Sequence, residues 1–151
     1  MKVTTRIIAV IVLLFAAAAC AVAQCSARSI VRKNKSRMAP YQYDSYALKE
    51  ITFDPFKPQV VEIEFTAFAG YKYKLVFGTS DFAENINLNI YDKGLRSKKR
   101  NKLYDSKESE ENNWAFEPEK PGTYYINYEV PRSISGVKKK ACAIMMVGFK
   151  D

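Results

Sequence analysis

Between residues 41 and 149 apolar side chains recur at every second position, not at the three-and-four spacing of a helical face. That period predicts strands, and the β-branched and aromatic residues filling the apolar positions suit a pleated surface. Val61, Ile63 and Phe65 alternate with Glu62 and Glu64, which predicts a half-buried strand with its carboxylates facing water. Tyr71, Tyr73, Leu75 and Phe77 alternate in the same way with Lys72 and Lys74, and Ile86, Leu88 and Ile90 with Asn87 and Asn89. Residues 47–53 form an earlier strand that Asp54-Pro55 and Lys57-Pro58 terminate, because proline removes a ladder donor. Shorter strands are predicted at 102–105 and 114–116, and a longer one at 124–130 after the Pro121-Gly122 turn. Residues 141–149 are apolar on both faces, so this strand is central or pressed against the N-terminal segment. About eight strands at regular spacing with short turns predict an all-β, antiparallel sandwich of jelly-roll or Greek-key type, with a closed barrel as the alternative.

Ahead of the strands the pattern changes twice. Lys2 and Arg6 precede an apolar run, and Ala21-Val22-Ala23 supplies the small-x-small site of a secretory signal, so residues 1–23 read as a leader removed after Ala23. The run is shorter than the roughly 20 residues that a bilayer span needs. Ala17-Ala18-Ala19-Cys20 loosely matches a lipobox, which makes an envelope lipoprotein anchored through Cys20 the alternative. Residues 24–40 are basic and show no sustained period; they read as a tether or a short capping segment. Residues 41–151 make up the sandwich.

Charge and composition narrow the function. The chain carries 24 Lys and Arg against 16 Asp and Glu, and it stays basic without its leader. The cations cluster at 32–37, at Lys98-Lys99-Arg100 and at Lys138-Lys139-Lys140, where they meet anionic surfaces or simply keep loop tips soluble. An exported protein seldom meets nucleic acid, so that partner is not expected. With no His in the chain, His-based triads and His metal sites are excluded.

Cys25 and Cys142 remain after cleavage at Ala23, an even pair that suggests a disulfide in an oxidising compartment. Glu62 and Glu64 share a strand face as a glycosidase pair would, but their alternation with core residues fits solvent exposure better. Glu108, Glu110 and Glu111 lie in a charged segment without metal-ligand order. Of the ten tyrosines, Tyr91 and Tyr104 flank turns and Tyr125 alternates out of phase with the core set. Outward tyrosines beside Lys98, Lys99 and Arg100 make the better binding candidates, since an aromatic ring stacks on sugars or anchors a protein partner. No catalytic residue, metal or cofactor is assigned.

Three motifs carry a family resemblance. Residues 68–73 (Phe-Ala-Gly-Tyr-Lys-Tyr), 87–94 (Asn-Leu-Asn-Ile-Tyr-Asp-Lys-Gly) and 121–126 (Pro-Gly-Thr-Tyr-Tyr-Ile) lie within 60–130. That stretch resembles the bacterial pre-peptidase C-terminal domain, a small β-sandwich of secreted proteins. The resemblance implies the fold and an accessory or adhesive role. Relatives are usually appended to a catalytic domain, which this chain has no room for, and some bind calcium through clustered acids, whereas Asp81, Glu84 and Asp92 here are scattered among Asn and Lys. The resulting expectation is an exported, non-catalytic module that binds an envelope glycan or protein, with membrane contact only through a lipidated Cys20. The alternative is a carbohydrate-active enzyme with an unrecognised carboxylate site.

Overall fold

The computed structural model describes residues 25–80, 85–108 and 114–150. The leader, Cys20, Asp81, Glu84, Glu110 and Glu111 lie outside them. Eight antiparallel strands form two four-stranded sheets. They are β1 (Gln42–Phe53), β2 (Gln59–Ala67), β3 (Lys72–Thr79), β4 (Asn87–Tyr91), β5 (Lys102–Asp105), β6 (Ala115–Phe116), β7 (Gly122–Val130) and β8 (Lys139–Lys150). The strand order is β1-β8-β3-β6 in one sheet and β2-β7-β4-β5 in the other, the double-sheet jelly roll. Two separate sheets exclude the closed barrel.

Alternation decides which side chains meet between the sheets. Ile51, Leu75, Phe77, Ala143 and Met145 from the first sheet face Ile63, Leu88, Ile90, Ile126 and Tyr128 from the second. Fully buried, Tyr128 donates its hydroxyl across the sandwich to the Ile144 carbonyl at 2.9 Å, which satisfies a polar atom that burial would otherwise penalise. Gly70 and Gly122, the turn glycines, have φ of +92° and +146°, a region that an L side chain rarely adopts.

The segment read as a tether or cap is an ordered cap. Helix α1 (Ala27–Asn34) starts at Ser26, whose side chain accepts from the Ser29 amide, and runs into a 3₁₀ turn at Lys35–Met38. Ile30 packs on Cys142 and Ile144, and Met38 packs on Val76 and Met146, so the outer face of β8 is covered. Burying side chains such as Ile144 and Met146 contributes about 1.5–3 kcal/mol each. The sheet admits the helix through glycine: a Cβ on Gly78 would lie 2.8 Å from Asn34 Nδ2, and one on Gly148 would lie 2.9 Å from Met38 Sδ. A disulfide between Cys25 and Cys142, with Cα atoms 5.6 Å apart, fastens the helix to β8. β8 is therefore both central and covered, and this accounts for its apolar residues on both faces.

Candidate functional site

The ten residues 92–101 join β4 to β5, where an antiparallel neighbour needs only two to five. This connection folds back over the outer face of the second sheet. At its base the Asp92 carboxylate accepts from the Asn101 amide at 2.7 Å and from Asn101 Nδ2 at 2.8 Å. Those hydrogen bonds, the backbone one foremost, hold the Asp92 carboxyl below its ordinary range. A tight turn follows, with Ser97 N donating to the Gly94 carbonyl at 2.9 Å.

Strand side chains fasten the loop from below. Leu95 N donates to Glu62 Oε2 at 3.1 Å. With the Asn127 amide turned so that its nitrogen faces the carboxylate, the orientation that satisfies both neighbours, it donates to Glu62 Oε2 at 2.8 Å and accepts from Arg100 Nη1 at 2.9 Å. The Arg100 guanidinium also lies over the Tyr91 ring, 3.8 Å from its centroid. Gly94 passes close to Tyr125: a Cβ there would come within 3.1 Å of its ring. Across from Asn127 on β4, Asn89 is 3% exposed, and its Oδ1 has no hydrogen-bond partner among the described residues.

The structure thus brings Tyr91, Tyr125, Lys98, Lys99 and Arg100 into one loop-covered patch but leaves Tyr104 out. Tyr104 points inward and meets the Phe116 ring edge-on at 6.2 Å, because it pairs with the core residue Ile90. Nor is Tyr91 an outward platform, since Arg100 and the loop leave it only 9% exposed. Glu62, expected in water, is the loop's anchor. What the loop exposes is mainly cationic, Lys93, Arg96, Lys98 and Lys99, with Leu95 among them at 42%. Glu62, Asn89 and Asn127 escaped the sequence reading because outward polar residues on a strand look alike whether solvent or a loop lies above them.

A groove of about 520 Å³ opens beside this loop, lined by Leu103, Phe116, Pro121 and Tyr124 together with Asp92, Glu117 and Glu119. No local pattern marks it, since Asp92 is far along the chain from Glu117 and Glu119. Two of the three carboxylates are already engaged. Asp92 is held by Asn101, and Glu117 accepts from the Tyr41 hydroxyl at 2.7 Å and lies 3.8 Å from Lys74 Nζ. Burial, reinforced by the Glu117 bond, pushes the Tyr41 phenol up to about 12.

No protein-family model matches the chain, and no curated protein does. Among solved structures it is similar to the Aeromonas hydrophila PliG, a periplasmic lysozyme inhibitor of g-type lysozyme. The identity is 14%, with 74% of this chain and 89% of that one covered and a TM-score of 0.48. The Salmonella Typhimurium PliG is similar at 13% identity, covering 72% and 94%, with a TM-score of 0.39.

Proposed function

We propose that this chain is an exported, non-catalytic module of the bacterial envelope whose 92–101 loop docks on an acidic patch of a protein or glycan partner. One observation carries the reading: a run of cations is held in a fixed shape by hydrogen bonds to Asp92 and Glu62 and by Arg100 set against the buried Asn127 and Tyr91. Loops ordered before binding lose less conformational entropy on contact, and clustered cations speed encounter with an anionic surface. The disulfide fits an oxidising compartment.

The groove favours a second reading, a carbohydrate-active enzyme, because it gathers three carboxylates. Its chemistry points the other way. An acid catalyst needs a carboxyl pushed up toward neutrality, whereas Asp92 is pushed down and Glu117 is tied to Tyr41.

The deciding experiment is an envelope pull-down and a glycan array run with Arg96→Glu/Lys98→Glu/Lys99→Glu beside the wild type. A g-type lysozyme, the enzyme named for both solved neighbours, belongs in the panel as a probe. Docking through the loop predicts loss of retention in the reversed variant and a steep fall with salt. Unchanged retention would count against it, and a glycan hydrolysis abolished by Glu117→Gln or Asp92→Asn would establish the enzyme instead.

A further inference from the structure

The end of the sandwich opposite the 92–101 loop carries large apolar side chains in the open. Phe56 is 85% exposed in the connection from β1 to β2, and Ile134 and Val137 are 76% and 63% exposed in the connection from β7 to β8. The two connections touch, with Ser133 N donating to the Asp54 carbonyl at 3.0 Å. Both are held by internal hydrogen bonds. Asp54 Oδ1 accepts from the Phe56 amide at 2.8 Å and from the Lys57 amide at 3.2 Å. In the second connection Ser133 Oγ donates to the Val137 carbonyl at 2.6 Å, and Gly136 takes a φ of +69°. The side chains are therefore presented by closed turns, and their exposure is not a by-product of loose chain.

Cations surround them. Lys57, Arg132 and Lys138 are exposed beside the three apolar residues, while Lys140 is paired with Glu50 at 2.8 Å. Among the described acids on these connections and the strand ends beside them, Asp54 accepts from its own turn with Lys57 and Lys138 near it, Glu50 pairs with Lys140 in the open, and Glu129 lies at the rim of a shallow groove with Val60. We propose that this end docks on an anionic lipid surface, with Phe56, Ile134 and Val137 entering the region between headgroups and acyl chains and Lys57, Arg132 and Lys138 meeting the phosphates. Convex tips suit a deformable bilayer. A protein partner would need a concave counterpart and about 800 Å² of contact on each side. The ring of cations around an apolar centre is the complement of an anionic membrane interface. Such binding is reversible, since one small apolar cluster falls well short of a membrane anchor.

The test is sedimentation of the purified chain, its N-terminus read by intact mass, with vesicles of phosphatidylcholine alone or doped with phosphatidylglycerol. Binding should require the anionic lipid and weaken as salt rises. Removing one cation (Lys57→Ala or Lys138→Ala) should reduce binding about fivefold, and Phe56→Ser/Ile134→Ser/Val137→Ser should bring it to background with the fold intact by circular dichroism. Failure to bind phosphatidylglycerol vesicles at low salt overturns the proposal, as does undiminished binding of the triple Ser variant, the result expected if residual leader drives the contact. Capture of an envelope protein through these residues, with no vesicle binding, overturns it in favour of a protein interface.

Discussion

Arg100→Ala tests the fastening of the 92–101 loop directly. The side chain makes two separable contributions. Its guanidinium lies 3.8 Å above a Tyr91 ring that is 9% exposed, where a cation–π contact is worth about 1–2 kcal/mol. Its Nη1 donates to Asn127 Oδ1 at 2.9 Å, and a charged hydrogen bond at such a site contributes about 1.5–3 kcal/mol. Arg100 is itself half-buried, so solvent screens part of both, and a total of about 2–3 kcal/mol is expected. At this chain length that lowers Tm by roughly 4–12 °C.

Urea unfolding at neutral pH reads the change, with the slope unaltered if only the native state is affected. Arg100→Lys should recover the charge but little of the stability, because an ammonium neither stacks flat on the ring nor holds the planar fork toward Asn127. A double-mutant cycle with Tyr91→Leu isolates the ring contact, with a coupling of about 1 kcal/mol expected. If Arg100→Ala stays within about 0.5 kcal/mol of the wild type, as an ordinary surface substitution does, the loop is not fastened as described and the argument for a preorganised docking element goes with it.

Non-reducing peptide mapping should recover Cys25 joined to Cys142, and Cys25→Ser/Cys142→Ser should lose up to about 4–5 kcal/mol, the chain-entropy value for the loop of 117 residues that the bond closes. Tyr128→Phe leaves the Ile144 carbonyl without its cross-sandwich donor and should cost about 1–2 kcal/mol by urea unfolding. Asp92 and Asp105 have folded pKa values below the ordinary 3.8, through the Asn101 amide and through the Lys102 side chain respectively. Their stabilisation is therefore complete above pH 3.8 and is lost as pH falls through the lower folded values, so a urea series between neutral and acid pH should show the decline and Asp92→Asn should flatten it.

The strands were legible because one physical rule fixes them: alternation sorts side chains between a core and a second face, and all eight appear within a few residues of their predicted positions. The misplaced start of β1 shows the limit of that rule. Its first half, from Gln42, lies at a sheet edge where both faces are partly wet, so Tyr43-Asp44-Ser45 shows no alternation to read. Helix α1 was hidden for a related reason. The cap's buried contacts come from Ile30 in the helix and Met38 in the 3₁₀ turn, eight positions apart, and the apolar surface they need is supplied by β8 and β3. The loop-fastening residues are the hardest to see. Glu62 and Asn127 earn their role from a ten-residue connection that returns over them, and no local pattern encodes that return.

The jelly roll also separates the two proposed surfaces. Strand β2 runs nine residues from the Phe56 end to the end that carries the loop, which at about 3.3 Å per residue puts some 30 Å between them. That distance exceeds the Debye length of about 8 Å at physiological salt, so cations at one end do not feel charge reversal at the other. The two ends share no hydrogen-bond network among the described residues: one is closed by Asp54 and Ser133, the other by Glu62, Asn127 and Arg100. Stability changes from Arg100→Ala and from Phe56→Ser/Ile134→Ser/Val137→Ser should therefore add to within about 0.5 kcal/mol in the combined variant. The same independence should hold for binding, with the Arg96→Glu/Lys98→Glu/Lys99→Glu variant sedimenting with phosphatidylglycerol vesicles as the wild type does. A coupling above about 1 kcal/mol would show that strain passes along the sheet, and vesicle binding lost on reversing the loop would place the lipid contact at the opposite end from Phe56.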